Sequence, residues 1–243
     1  MRRVAHLAAP LLAFVAHADG GPRIAPFSAL EPSQALPTAW REVRLPGPKP
    51  PEYALVRDEG VTVLRVRSQS AAGSLAHRVD SDLKERPRLA WRWKVDRVVE
   101  AADLESKAGD DYAARVYVMF DLPLSELRFS TRVQIRLARL LHGAEVPSAA
   151  LCYVWDNRHP VGTMRASAYV DSVRMVVLES GTARAGAWVG ESRDLDADFR
   201  AAFADLGLKS APRVIGVAVG NDTDQTGETA TAWFGDIRLE AAR

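Results

Sequence analysis

The chain of 243 residues carries 32 lysines and arginines against 31 aspartates and glutamates, a formal net charge of +1. Such near-neutrality argues against nucleic acid as a bulk partner, because neutralising phosphates takes a basic excess or a dense basic patch. A chain this long buries roughly 70% of its unfolded surface and needs no covalent staple, and its single cysteine, Cys152, permits no intramolecular disulfide.

The N-terminus reads as an export signal over residues 1–18. Arg2 and Arg3 give a basic start, Val4 to Val15 form a mostly apolar run, and Ala16-His17-Ala18 supplies the small-x-small pattern of a signal-peptidase site. The apolar run is shorter than the ~20 residues a membrane-spanning helix needs, so no transmembrane anchor is expected after cleavage. Cleavage removes two arginines and no acids, leaving 30 basic against 31 acidic side chains. The expectation is a periplasmic or secreted monomer.

Residues 19–39 form a proline- and glycine-rich lead-in, with a short strand expected around Trp40 to Val43 and a single domain over 40–243. From Tyr53 the pattern has period two. Leu89, Trp91, Trp93 and Val95 share one strand face, opposite Ala90, Arg92 and Lys94. Val116, Val118 and Phe120 share another, opposite Arg115, Tyr117 and Met119. Further strands are predicted at 75–80, 150–155, 173–178, 187–193, 213–220 and 231–239. Many short strands between turn signals specify a mostly β chain, an antiparallel β-sandwich. Two helices embellish it. One spans 130–142, with Ser130 or Thr131 as cap and Gly143 as stop. The other follows Asp194, presents Leu195, Phe199, Ala202, Phe203 and Leu206 on one face, and ends at Gly207.

Several polar clusters could carry chemistry. Asp110 and Asp111 precede the strand holding Arg115. Adjacent carboxylates at a strand mouth bind a cation or split their pKa values for acid–base work, or simply cap a turn. Asp222 and Asp224, in the stretch Asn221 to Glu228, place oxygen ligands at alternate positions before Gly227, as in the first half of a calcium loop. Trp233 stands where that loop would end in glutamate, so the alternatives are a structural calcium and a plain hairpin with Asx turns. Tyr153, Trp155, Asp156 and Asn157 lie where a strand leaves the sheet. Aromatic faces beside amides and acids suit a sugar ring, and Trp91, Trp93, Trp188 and Trp233 could extend the platform; core packing is the competing reading. Arg128, Arg132, Arg136 and Arg139, extended by His142, step along one helical face. They form either a grip for anionic groups or a solvated surface.

Nucleophile systems are thin. After export only His77, His142 and His159 remain, and none stands in a recognisable serine, cysteine or metal motif. Cys152 sits in an apolar strand and reads as an inert buried thiol. A pair of carboxylates facing a cleft leaves no such signature, so a polysaccharide lyase or hydrolase stays open.

Taken in order, these segments resemble a bacterial family catalogued as domain of unknown function 3047. The matching pieces are Leu89 to Val95 (LAWRWKV), Gly109 to Asp121 (GDDYAARVYVMFD), Tyr153 to Asn157 (YVWDN), Asp222 to Gly227 (DTDQTG) and Gly235 to Ile237. Pro46-Gly47 and the helix from Asp198 to Phe203 fit as well. The likeness runs from about Trp40 to Leu239; Gln225 departs from it, standing where asparagine is expected. The resemblance implies an exported bacterial protein with a jelly-roll-like sandwich similar to galactose-binding domains. It implies no established activity and no catalytic residue. The leading expectation is a non-catalytic domain that binds a cell-envelope polysaccharide. Asp110, Asp111, Arg115, Tyr153, Trp155, Asp156 and Asn157 would contact the ligand, and Asp222 and Asp224 would hold a structural calcium. The alternatives are a carboxylate-based enzyme on polysaccharide, and an envelope scaffold using the arginine stripe.

Overall fold

The computed structural model describes residues 23–44, 47–142 and 147–242; the expected signal peptide and Gly143 lie outside the described residues. In chain order the strands are β1 (Arg23–Ala25), β2 (Trp40–Arg44), β3 (Glu52–Asp58), β4 (Val61–Gln69), β5 (Ala72–Ser81), β6 (Arg88–Val95) and β7 (Tyr112–Phe120). Helix α1 (Phe129–His142) follows, then β8 (Ala149–Asp156), β9 (Met164–Ala166), β10 (Val173–Ser180) and β11 (Val189–Asp194). Helix α2 (Leu195–Ala202) precedes β12 (Val214–Asp222), β13 (Thr229–Phe234) and β14 (Ile237–Glu240). The result is the expected sandwich, mostly β with two α-helices. One sheet runs β1-β14-β6-β13-β4-β3 with β11 on the other edge of β6, and the second runs β2-β5-β12-β7-β8-β10-β9.

Strand parity decides the interior. On β6, Leu89, Trp91, Trp93 and Val95 are buried while Arg92 and Lys94 stay half-buried on the outer face. On β7, Val116, Val118 and Phe120 are sealed. Between the sheets the Trp91 ring lies 5.4 Å from Tyr153 and the Trp93 ring 5.8 Å from Trp155. An aromatic side chain of this size buries on the order of 200 Å², worth about 5 kcal/mol at roughly 25 cal/mol per Å².

Helix α2 begins as its sequence demands. The Asp194 carboxylate accepts the Ala197 N–H at 3.0 Å, satisfying one of the free donors of the first turn. Phe199 stacks on Phe203 at 4.5 Å and meets Phe120 at 4.8 Å, so the helix closes the sandwich with aromatic surface. A short 3-10 turn, Ala204–Leu206, carries the chain to Gly207, whose φ of +63° supplies the left-handed stop.

Four details depart from the sequence reading. The lead-in, expected to hold no strand before Trp40, is built into the fold: β1 pairs with β14, and Phe27 is fully buried with its ring 5.5 Å from Trp40. The strand expected over 231–239 is two strands along one edge of β6, with a one-residue slip of register at Gly235–Asp236. That bulge keeps Phe234, Ile237 and Leu239 all pointing inward. β10 pairs with β8 in parallel, which is only reachable because residues 157–172 form a crossover carrying the unforeseen β9. Finally, α1 starts at Phe129, and the Thr131 hydroxyl, offered as a cap, donates to Asp171 instead.

Candidate functional site

The loop before β7 and the loop between β12 and β13 meet at one end of the second sheet. Asp222 closes β12 opposite Tyr112, the first residue of β7. Its Oδ1 accepts the Tyr112 N–H at 3.1 Å and its Oδ2 takes Arg115 Nη2 at 2.7 Å. Arg115 is buried on the face of the sheet turned away from the main core. The same Nη2 donates to the Asp110 carbonyl, Nη1 donates to the Tyr117 hydroxyl at 2.8 Å, and the guanidinium lies 4.7 Å from the Tyr112 ring centroid. Asp111 Oδ2 accepts the Thr226 N–H at 2.6 Å, tying the two loops together. Gly227, with φ of +75°, lets the second loop turn back toward Thr223, whose carbonyl accepts the Gly227 N–H at 3.0 Å.

One carboxylate oxygen from each of Asp111, Asp222 and Asp224 lies within 4.8 Å of the other two. With Asp110 they set four acids against one guanidinium. Burial pushes Asp222 well above the usual carboxylate range, opposed by Arg115 and reinforced by Asp111 and Asp110. Asp110 and Asp224 are raised as well, by burial first, with Asp111 adding like-charge repulsion to each. Arg115 is held in its charged form by Asp222 despite its burial. The arrangement stabilises added positive charge.

The other site residues fare differently. Tyr153 and Trp155 were expected to face a sugar, but parity on β8 turns both rings into the interior, 0% and 1% exposed. The Tyr153 hydroxyl donates to Asp198 at 2.8 Å, beside the Arg193–Asp198 ion pair at 2.6 Å, and Trp155 Nε1 donates to the Gly181 carbonyl at 3.1 Å. Neither ring can stack on a ligand. Asp156 is sealed and caps the turn after β8, accepting the Arg158 and His159 N–H groups at 2.7 and 2.6 Å. Asn157 donates to the carbonyls of Glu100 and Ala102, both at 2.9 Å, lashing down the loop before β7. These two anchor the same end of the sheet as the acidic cluster, without facing a ligand.

The remaining expectations divide. Trp91 and Trp93 are core, whereas Trp188 and Trp233 are half-buried on the outer face of the first sheet. There Arg92 lies 4.4 Å from the Trp188 ring centroid, and Lys94 sits 4.8 Å from that of Trp233 and in an ion pair with Asp58. A β-carbon at Gly235 would fall 2.5 Å from Arg92 Cγ, so the bulge glycine makes room for the arginine stem. The arginine stripe is partly drawn off: Arg128 approaches Asp171 and Asp205 at 3.9 Å, and Arg132 lies over the Phe129 ring. Cys152 is sealed and its thiol is pushed up to about 12 by burial, as an inert strand thiol should be.

Sequence reasoning missed one pair. Glu191 on β11 shares its face with Val189 and lies opposite Trp91 on β6, and Glu179 on β10 lies opposite Trp155 on β8 after a register slip. Both carboxylates therefore reach the space between the sheets beside the tryptophans. Burial, then Glu179, pushes Glu191 up to about 7. Glu179 is raised by burial and opposed by Arg184 at 2.7 Å. The signal was present in Val189-Gly190-Glu191, where parity puts an acid on a core-facing position.

The fold and its loop-end cluster define a two-sheet β-sandwich domain. The chain belongs to the family described as protein of unknown function (DUF3047), whose pattern it matches over residues 38–238. No curated protein matches it. Among solved structures, the xyloglucanase domain of NopAA from Sinorhizobium fredii is similar at 9% identity, covering 86% of this chain and 95% of that one with a TM-score of 0.47. Trichoderma harzianum endoglucanase 3 is similar at 5% identity, 79% and 85% coverage and a TM-score of 0.40. The adhesin domain of Lys-gingipain from Porphyromonas gingivalis is similar at 11% identity, 85% and 93% coverage and a TM-score of 0.36. Likenesses at these scores carry no inference about activity.

Proposed function

We propose that this chain is an exported, non-catalytic carbohydrate-binding domain whose partner is a polysaccharide of the cell envelope. The observation that carries the reading is the outer face of the first sheet, where half-buried Trp188 and Trp233 flank Arg92 and Lys94. Indole rings fixed on the sheet offer apolar surface to sugar C–H groups, and Arg92 beside Trp188 favours an acidic chain such as a uronate polymer, Lys94 being neutralised by Asp58. Calorimetry against neutral and acidic envelope polysaccharides tests it. Binding to the acidic ones, lost in the folded double variant Trp188→Ala/Trp233→Ala, is the expected result. Failure of the wild-type protein to bind any of them would overturn the reading.

A second reading, an enzyme acting on polysaccharide, is favoured by Glu179 and Glu191 rather than by Asp110 and Asp111. Arg115 closes a buried ion pair with Asp222, which takes that end out of acid–base work. Glu191, held near neutrality beside a second acid, has the protonation behaviour of a general acid. Release of reducing ends from polysaccharide, abolished by Glu191→Gln, would establish it; release that survives the substitution would remove it.

A further inference from the structure

The acidic loop end has chemistry that the carbohydrate reading does not use. Asp111 is wholly buried, and while its Oδ2 is held by the Thr226 N–H, its Oδ1 is enclosed with no hydrogen-bond partner among the described residues. Asp224 Oδ1 is likewise enclosed and without one, although its Oδ2 accepts from the Gln225 side chain at 2.7 Å. Enclosed carboxylate oxygens with idle lone pairs are costly unless something positive meets them. Arg115 cannot meet them all: its Nη2 is committed to Asp222 and to the Asp110 carbonyl.

We propose that Asp111, Asp222 and Asp224 bind one calcium ion. Oxygens that share a calcium at 2.3–2.6 Å can stand no more than roughly 5 Å apart, and the three carboxylates meet that limit at 4.8 Å. All three donors are hard oxygens, and two of the residues keep unused acceptor capacity, at Oδ1 of Asp111 and Oδ1 of Asp224. The ligands are also pre-positioned. Asp222 is fixed by β12 pairing with β7, Asp111 by the Thr226 amide, and the intervening loop by the bond from Gly227 N–H to Thr223. The ion joins the loop before β7 to the connection between β12 and β13, which is where the chain passes from one sheet to the other. Calcium suits the site better than magnesium, because it accepts irregular oxygen shells whereas magnesium demands a near-ideal octahedron and sheds its water reluctantly.

The experiment uses the full purified chain, stripped with a chelator and desalted. Calcium chloride should raise its melting temperature in a saturable manner, and calorimetry should give one site per chain. Terbium, used as a calcium substitute, should luminesce through the nearby Tyr112 and Tyr169 rings and be displaced by calcium. Asp224→Asn, at the more accessible edge of the cluster, should weaken calcium roughly ten-fold or more while leaving the melting temperature of the stripped protein unchanged. Asp111→Asn should do the same; if it does not fold, the terbium titration of wild type and Asp224→Asn carries the test. No calcium-dependent melting shift together with no terbium emission would overturn the site. A calcium response unaltered by Asp224→Asn would overturn these ligands, and equal responses to magnesium and calcium would overturn the choice of ion. The outcome is independent of whether polysaccharide binds.

Discussion

Two sets of tryptophans lie a few ångströms apart on opposite faces of the same sheet, and they lead different lives. Trp91 and Trp93 project from β6 into the sandwich, where they meet Tyr153 and Trp155 from the facing sheet. Trp188 and Trp233 lie on the other side of β6, against Arg92 and Lys94. The residue type is the same and the sequence distance is short. What differs is parity: on one face the indole replaces water with other rings, on the other it is trimmed by cation stems and keeps part of its surface wet. Interior tryptophans hold the sheets together, and outer ones keep part of their surface exposed.

Substitution should separate the two sets. Trp155→Ala, which opens a cavity between the sheets, is expected to cost about 3–5 kcal/mol in denaturant unfolding. Trp188→Ala and Trp233→Ala should each cost only about 1 kcal/mol, the scale of an exposed cation–π contact plus partial burial, while acting on ligand binding. Equal losses at Trp155 and Trp188 would break the distinction. A pH-dependent effect marks the border of the interior set. Glu191 is faced by Glu179, Arg184 and Arg193, and sits next to Trp93; its pKa is raised from 4.5 to about 7 on folding. The folded chain thus holds this proton more tightly than the unfolded one. That contribution is complete below 4.5 and is lost as pH rises through about 7. Unfolding midpoints of wild type should fall across this window relative to Glu191→Gln, and parallel curves would show that Glu191 is solvated like an ordinary surface acid. A small change is expected from Gly235→Ala. The added methyl meets Arg92 at Cγ, near the root of its stem, so the side chain must change rotamer at a cost of roughly 0.5–1.5 kcal/mol, with near-ultraviolet circular dichroism reporting the loss of the Arg92–Trp188 contact.

Much of the fold was legible because alternation is a strong local signal. β6, β7 and β12 follow their apolar periodicity, and Asp194 announces α2 by the chemistry of its cap. The parallel pairing of β8 and β10 was not legible, since parallel and antiparallel neighbours carry the same apolar pattern. β1 was missed because three residues are too few to show a period. At the site, Asp111, Asp222 and Asp224 were legible as oxygens clustered near turns and Arg115 as the charge on the strand that follows, and the structure brings them together. Tyr153 and Trp155 were assigned to a ligand although their own alternation with Cys152 and Val154 could not say which face was wet. Both faces of β8 are buried, one in the main core and the other in a smaller cluster with Tyr112 and Met175, and a strand buried on both sides loses the contrast on which such a reading depends.

The pairing of β14 with β6 also bears on how the chain is made. Residues 237–240 fill half of one edge of β6 and bridge it to β1, whose residues lie more than two hundred positions earlier. During vectorial synthesis the first sheet therefore stays open until residues 237–240 have been made. Closure is a long-range event, slow by its contact order, and an incomplete chain exposes a tryptophan-bearing strand with a vacant hydrogen-bonding edge. Loss of residues 237–240 should thus act on the centre of the first sheet, producing aggregation-prone chains rather than a native fold lacking one strand.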